Sequence, residues 1–318
     1  MLDTILSALL PMVFTFLLGF VAARRHDFGS KDASTLNRMV LLYAVPMALF
    51  AGTVTTSRAA LGRDIPLVIA LCIGIIGLYG VVFLLCRVAF HMQVSTSALA
   101  ALTASAPAVP FVGPAVLGDL FGGLSAIPIA IASLVINLTV VPLTILLLTV
   151  DTTGRDPRET AKDKEYLASP ATKLAETVKQ PIVWAPVLAF IIVLCGLRIP
   201  QLLVHSLSLL GGASGGVALF ASGIVLASGK IKASSHVLLL VFLKNILQPA
   251  LVLGGLRWVG YGEPTVSEAV LATAIPTMPI VIMFALQYRI AQDEAASAVF
   301  LSVIGSIVTM GVFIALTS

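Results

Sequence analysis

Two short proline pairs and one lysine are the residues of this 318-residue chain whose types and spacing could do chemistry. The pairs are Pro107-Ala-Val-Pro110 and Pro276-Thr-Met-Pro279, and the lysine is Lys244. Each pair falls inside an apolar stretch, and the first runs on through Phe111, Gly113 and Pro114. A proline removes a backbone donor and clashes with the preceding turn, so both stretches are predicted to unwind. In hydrocarbon, unwound backbone is tolerated only where it is buried in protein or lines a cavity. A half-helix starting after such a break aims free N–H groups and a positive dipole end at the gap, which suits a carboxylate.

Lys244 is the only formal charge well inside an apolar run, about ten residues from the polar entry, or roughly 15 Å at helical rise. Buried ions usually face a cavity. The ammonium could neutralise a bound carboxylate or hold a backbone carbonyl at a break; snorkelling to the surface is the plain alternative. Asn245 follows it and Gln248 stands one turn on, Asn137 could hydrogen-bond the first break, and Thr277 and Met278 lie between the prolines of the second. Small polar residues also glue membrane helices together. Asp119, beyond the first proline pair, reads as a gate, an ion ligand or simply a solvated acid.

The elements that must position these residues follow from composition. The chain is 58% hydrophobic and 11% charged, with a mean hydropathy of +1.06, whereas a soluble domain is about 25% charged. A water-soluble enzyme is thereby excluded. Charge-free runs cover 4–23, 39–57, 65–86, 88–118, 120–150, 180–197, 199–229, 269–288 and 295–318, and 233–256 is interrupted only by Lys244. At about 20 residues per crossing, these make ten transmembrane helices of an all-α polytopic membrane protein. Cys72, Cys86 and Cys195 lie in apolar runs and offer no metal spacing. His91 and His236 sit at span ends and His205 has no acidic neighbour, so no intramembrane catalytic dyad emerges. No Walker A pattern is present, which argues against direct ATP use.

Numbering the spans 1 to 10, fourteen Lys and Arg residues fall in odd loops and four in even loops. The positive-inside rule then predicts cytoplasmic odd loops and both termini outside. Residues 1–23 fit a retained first helix better than a cleaved signal, because Asp3 replaces a basic start and Arg24-Arg25 follow the apolar run. Residues 151–179 read as a cytoplasmic linker with a short amphipathic helix near 170–179. The linker divides the chain into a first repeat, 1–150, and a second, 180–318. A shift of 169–170 residues aligns Pro11 with Pro181, Ala48-Leu-Phe-Ala51 with Ala218-Leu-Phe-Ala221, Arg87 with Arg257, and the two proline pairs with each other. It also sets Ser302 and Ser306 against span 5. With five spans per half, the repeats are inverted.

The sequence resembles the auxin efflux carrier family, which includes plant auxin exporters and bacterial permeases for malonate or malate. The resemblance rests on NRMVLLYAVPMALF, SAPAVPFVGP, GGVALFASGIVLA, LKNILQP and AIPTMPIVIMFALQY followed by EAASAVFLSVIGSIVT, and covers residues 4–316. It implies ten helices in two inverted five-helix repeats. Spans 1, 2, 6 and 7 would form a scaffold, and spans 3–5 and 8–10 a transport domain with crossing helices 4 and 9. It further implies elevator-type movement, a bacterial inner-membrane location and a homodimer as the oligomer. Plant members carry an asparagine in the crossover of helix 4; Pro107 to Pro114 contains none, which favours a different small organic anion. The expected partners are a small carboxylate and the lipid bilayer, not nucleic acid. No cofactor is expected beyond a coupling proton or sodium ion, although spans 4, 5, 9 and 10 offer sodium no acidic ligand in their cores.

Overall fold

The computed structural model describes residues 2–55, 65–150, 179–197, 199–228 and 232–317. Residues 151–178, and with them nearly all of the expected linker and its amphipathic helix, lie outside the described residues, as do Arg58, Arg63, Arg198 and Lys230. Among the described residues the chain is helical with no strand. A bilayer-embedded backbone must satisfy its own polar groups, which long apolar runs do as helices. Six helices are long and apolar enough to cross a membrane. They are α2 (Ser30–Val54), α3 (Ile65–Val88), α6 (Ala126–Thr149), α8 (Gln201–Ser228), α9 (Ser235–Val259) and α12 (Gln292–Leu316). Between them stand α1 (Leu2–Arg24), α4 (Val94–Ser105), α5 (Val109–Phe121), α7 (Pro181–Leu194), α10 (Thr265–Ala274) and α11 (Ile280–Tyr288).

Helix ends follow local chemistry. Ser234 Oγ accepts from the Val237 N–H at 3.3 Å to start α9, as an N-cap serine should. The helix stops at Gly260, whose φ of +88° is left-handed and accessible to glycine without strain. Four long helices contain a five-residue π turn: Val40–Ala44, Ile73–Gly77, Ile136–Val140 and Leu243–Leu247. Pro46, Pro142 and Pro249 each stand two residues after such a turn; the donor that proline lacks frees an upstream carbonyl and the helix widens there. The turn at Ile73–Gly77 has glycines instead.

Packing concentrates in two groups. Helix α1 lies along α8, and α2 packs on both α7 and α8. Closeness between α1 and α8 comes from two glycines. A Cβ on Gly19 would sit 2.0 Å from Phe220 O, and one on Gly223 would sit 2.1 Å from Phe16 O. In the second group, α3 packs on α4, α9 on α10, and α6 and α12 buttress them. The groups meet where α1 touches α5 and α12, with Phe16 stacked on Phe300 at 4.9 Å between ring centroids.

Candidate functional site

Both apolar stretches carrying a proline pair are broken, over narrower segments than the prolines alone suggest. The first break is 106–108, between α4 and α5; the second is 275–279, between α10 and α11. Pro110 lies in the first turn of α5, where its missing donor is harmless, and Pro114 lies inside α5. Pro279 is the N-cap of α11. Pro107 and Pro276 belong to neither half-helix and stand within the breaks.

The two breaks meet each other. Pro107 and Thr277 form an antiparallel bridge, in which Ala108 N–H donates to Pro276 O at 2.8 Å and Met278 N–H donates to Ala106 O at 3.0 Å. A shift of 170 residues turns either bond into the other, since 106 becomes 276 and 108 becomes 278. The π turns Ile73–Gly77 and Leu243–Leu247 are related by the same shift.

Breaking a helix strands its last carbonyls, and each costs several kcal/mol in hydrocarbon unless it is satisfied. Four such carbonyls are met by side chains. Lys244 Nζ donates to Thr273 O and to Ile275 O, each at 2.7 Å. The equivalent oxygens of the first half are those of Thr103 and Ser105. Thr277 Oγ1 donates to Thr103 O at 2.9 Å, and Gln248 Nε2 donates to Ser105 O at 2.8 Å and to Gly74 O at 2.9 Å. Every donor therefore comes from the second half.

One backbone donor remains at the bridge. Thr277 N–H donates to Ser302 Oγ at 3.0 Å. Ser302 Oγ in turn donates to Asn245 Oδ1 at 2.7 Å, and Asn245 Nδ2 donates to Ser302 O at 2.7 Å. The counterpart of Thr277 is Pro107, which has no N–H, and the counterpart of Ser302 is Ala132, which offers no acceptor. The pairing of donor with acceptor, and of neither with neither, is consistent across the two halves.

Lys244, Asn245, Gln248, Thr277 and Met278 are all buried. Of the two alternatives for Lys244, its ammonium stands on backbone carbonyls. Asn137 lies in the π turn Ile136–Val140, is buried, and its Oδ1 has no hydrogen-bond partner; it makes no bond to the first break. The start of α5 is the more open of the two half-helix ends. Pro110 and Phe111 are half-buried, and the Phe111 ring fills the notch at Gly215 of α8, where a Cβ would lie 2.8 Å from Phe111 Cδ1. Gly113 lets α5 approach Ile129 of α6. At the other end Pro279 and Ile280 through Ala285 are covered. Asp119 is exposed. No group of three or more His, Cys, Asp or Glu residues that could hold a metal occurs among the described residues.

Sequence reasoning found the breaks and the polar residues of α9 but missed Thr103, Ser105 and Thr273, which act through their carbonyls, and the joint role of Ser302 and Thr277. The available signal was the 170-residue shift, which sets Thr277 on Pro107 and Ser302 on Ala132.

Paired, capped helix breaks within a set of membrane-crossing helices are the architecture of a membrane transport protein. Residues 4–314 match the family described as "Membrane transport protein", and the chain belongs to that family, the auxin efflux carriers. It is 32% identical over 317 residues to the uncharacterized transporter YfdV of Escherichia coli strain K12, across 99% of this chain and 98% of the relative. YfdV of Escherichia coli O157:H7 and YfdV of Shigella flexneri match to the same extent.

Proposed function

We propose that this transporter is a secondary carrier of a small organic anion, a carboxylate such as malonate or malate, in a bacterial inner membrane with both termini outside. The reading takes the fold as ten spans in two inverted five-helix repeats, with spans 4 and 9 each counted through their break. The observation that carries it is the bridge at Pro107 and Thr277, whose two hydrogen bonds exchange under a 170-residue shift. Half-helices α5 and α11 begin at this bridge, and their N-terminal ends would receive the carboxylate. In this reading Phe111, Pro110 and Asn137 would lie where the transport domain, spans 3–5 and 8–10, faces the scaffold, spans 1, 2, 6 and 7. The separate packing of α1, α2, α7 and α8 supports this division. Sliding of one group along the other would alternate access.

The test is flux in proteoliposomes against a panel of labelled carboxylates, with sodium and proton gradients imposed separately. Uptake of one or more dicarboxylates is expected, and it should be lost in P107A and P276A variants that still insert, since these two prolines stand in the breaks themselves. Unchanged transport in both variants would sink the crossover assignment, and ligand binding without flux would make the protein a sensor. A sodium-coupled symporter is the second reading; the carbonyls of Thr273 and Ile275, natural ligands for such an ion, are already occupied by Lys244.

A further inference from the structure

Three glycines of α8 sit where an added Cβ would meet a neighbour closer than 3.0 Å, and they are not filled alike. At Gly211 the neighbour is backbone, Ala48 N of α2 at 2.7 Å, and at Gly223 it is Phe16 O of α1 at 2.1 Å. Both glycines thus serve to join α8 to its own group. At Gly215 the nearest atoms are all ring carbons of Phe111, at 2.8–3.4 Å. This notch therefore holds a side chain of α5, which packs on α6 and α10 of the other group. The shift of 170 residues carries Phe111 to Val281 and Gly215 to Val45. Half-helix α11 packs on α2 and α8, and both valines are buried, but that seat has neither a ring nor a glycine notch to receive one.

From this asymmetry we infer that Phe111 is a latch. Its ring, lodged in the Gly215 notch, holds the two groups in the arrangement seen here, with the start of α5 open and the start of α11 covered. The inference rests on the reading that the groups move against each other. If the inverted halves exchange conformations during that movement, the start of α11 becomes the open one, and Ile280, now buried, takes the place of the half-buried Pro110. Phe111 must leave its notch for this to happen, because α5 and α8 lie in different groups. A ring can withdraw by a rotamer change of its own, whereas the seats at Gly211 and Gly223 are closed by backbone. Val281 and Val45 provide no such hold on the second arrangement. The latch is one-sided, so the two arrangements are unequally populated at rest.

The test reads how often the start of α11 opens. The full chain, with Cys72, Cys86 and Cys195 replaced by alanine and I280C as the single thiol, is reconstituted in liposomes and labelled with a small membrane-permeant maleimide. Labelling should be slow with the latch intact. F111A removes the ring and G215V fills the notch; each should speed labelling about tenfold, the population change expected from losing the burial of about half a phenylalanine side chain. The double variant should be no faster than either single one, since both remove the same contact. A thiol at Ala272, fully buried in α10, should stay unlabelled in every variant. Equal I280C rates with and without F111A or G215V would overturn the latch and leave the movement standing. No labelling of I280C in any variant would overturn movement and latch together. Labelling of A272C that rises along with I280C would also overturn the latch, since the variants would then only loosen the fold.

Discussion

Replacing Lys244 by methionine separates two roles for the buried ammonium. If it caps the break, the variant leaves the buried Thr273 O and Ile275 O without the donors that Lys244 supplies. Each orphaned buried acceptor costs about 1–3 kcal/mol, so the loss is about 2–6 kcal/mol. Methionine keeps the volume of the stem and no longer carries an ion whose burial itself costs several kcal/mol, which places the net effect toward the lower end, about 2–4 kcal/mol. The loss should appear as a lower unfolding temperature in detergent. Flux per inserted molecule should fall, and the apparent KM of the molecules that remain folded should stay near the wild-type value. K244Q, which keeps donors for the carbonyls, should recover part of the stability. The opposite pattern would refute the reasoning: a K244M variant as stable as wild type whose KM for a dicarboxylate has risen tenfold or more would put the ammonium on substrate.

S302A should destabilise the chain by about 2–4 kcal/mol, since it orphans the Thr277 N–H and Asn245 Oδ1 together; the matching A132S should bring no gain in stability, because Pro107 has no donor to offer the new buried hydroxyl, as thermal unfolding would report. G19A and G223A should each disrupt the seam of α1 and α8, where a Cβ falls 2.0–2.1 Å from a carbonyl oxygen, and should give aggregated protein on size-exclusion chromatography. Lys232 bonds Glu294 at 3.3 Å and lies 3.7 Å from Asp293, contacts that raise its amine above the ordinary lysine value. A raised pKa means that the contribution is whole at neutral pH and is lost only as pH climbs through the raised value. K232M should therefore narrow its gap from wild type in alkaline unfolding scans, and salt should shrink that gap because the pair is exposed.

Much of the architecture was legible because charges are excluded from hydrocarbon: the edges of the apolar runs fall close to the ends of α3, α6, α8 and α12. The two breaks were legible for a similarly local reason, proline's missing donor. Their exact extent was not, because Pro110 and Pro279 can start a helix as readily as end one, and only the geometry of the pairing decides. The π turn at Ile73–Gly77 had no proline to announce it. Least legible were the capped carbonyls, since every residue carries the same backbone oxygen and nothing in the letters Thr103, Ser105, Thr273 and Ile275 says which ones lose their helical partner. Lys244, Gln248 and Thr277 stood out as polar residues in apolar runs, and the pattern hinted at a ligand where the fold places backbone.

The one-sided origin of these donors has a consequence in time. The first break is completed by Gln248, 143 residues after Ser105, and by Thr277, 174 residues after Thr103. At about 5–20 residues per second of synthesis, the wait is about 7–35 s. Through that interval the nascent first half must hold its stranded carbonyls against water or translocon, and it can settle into its final form only once the second half has followed it into the membrane.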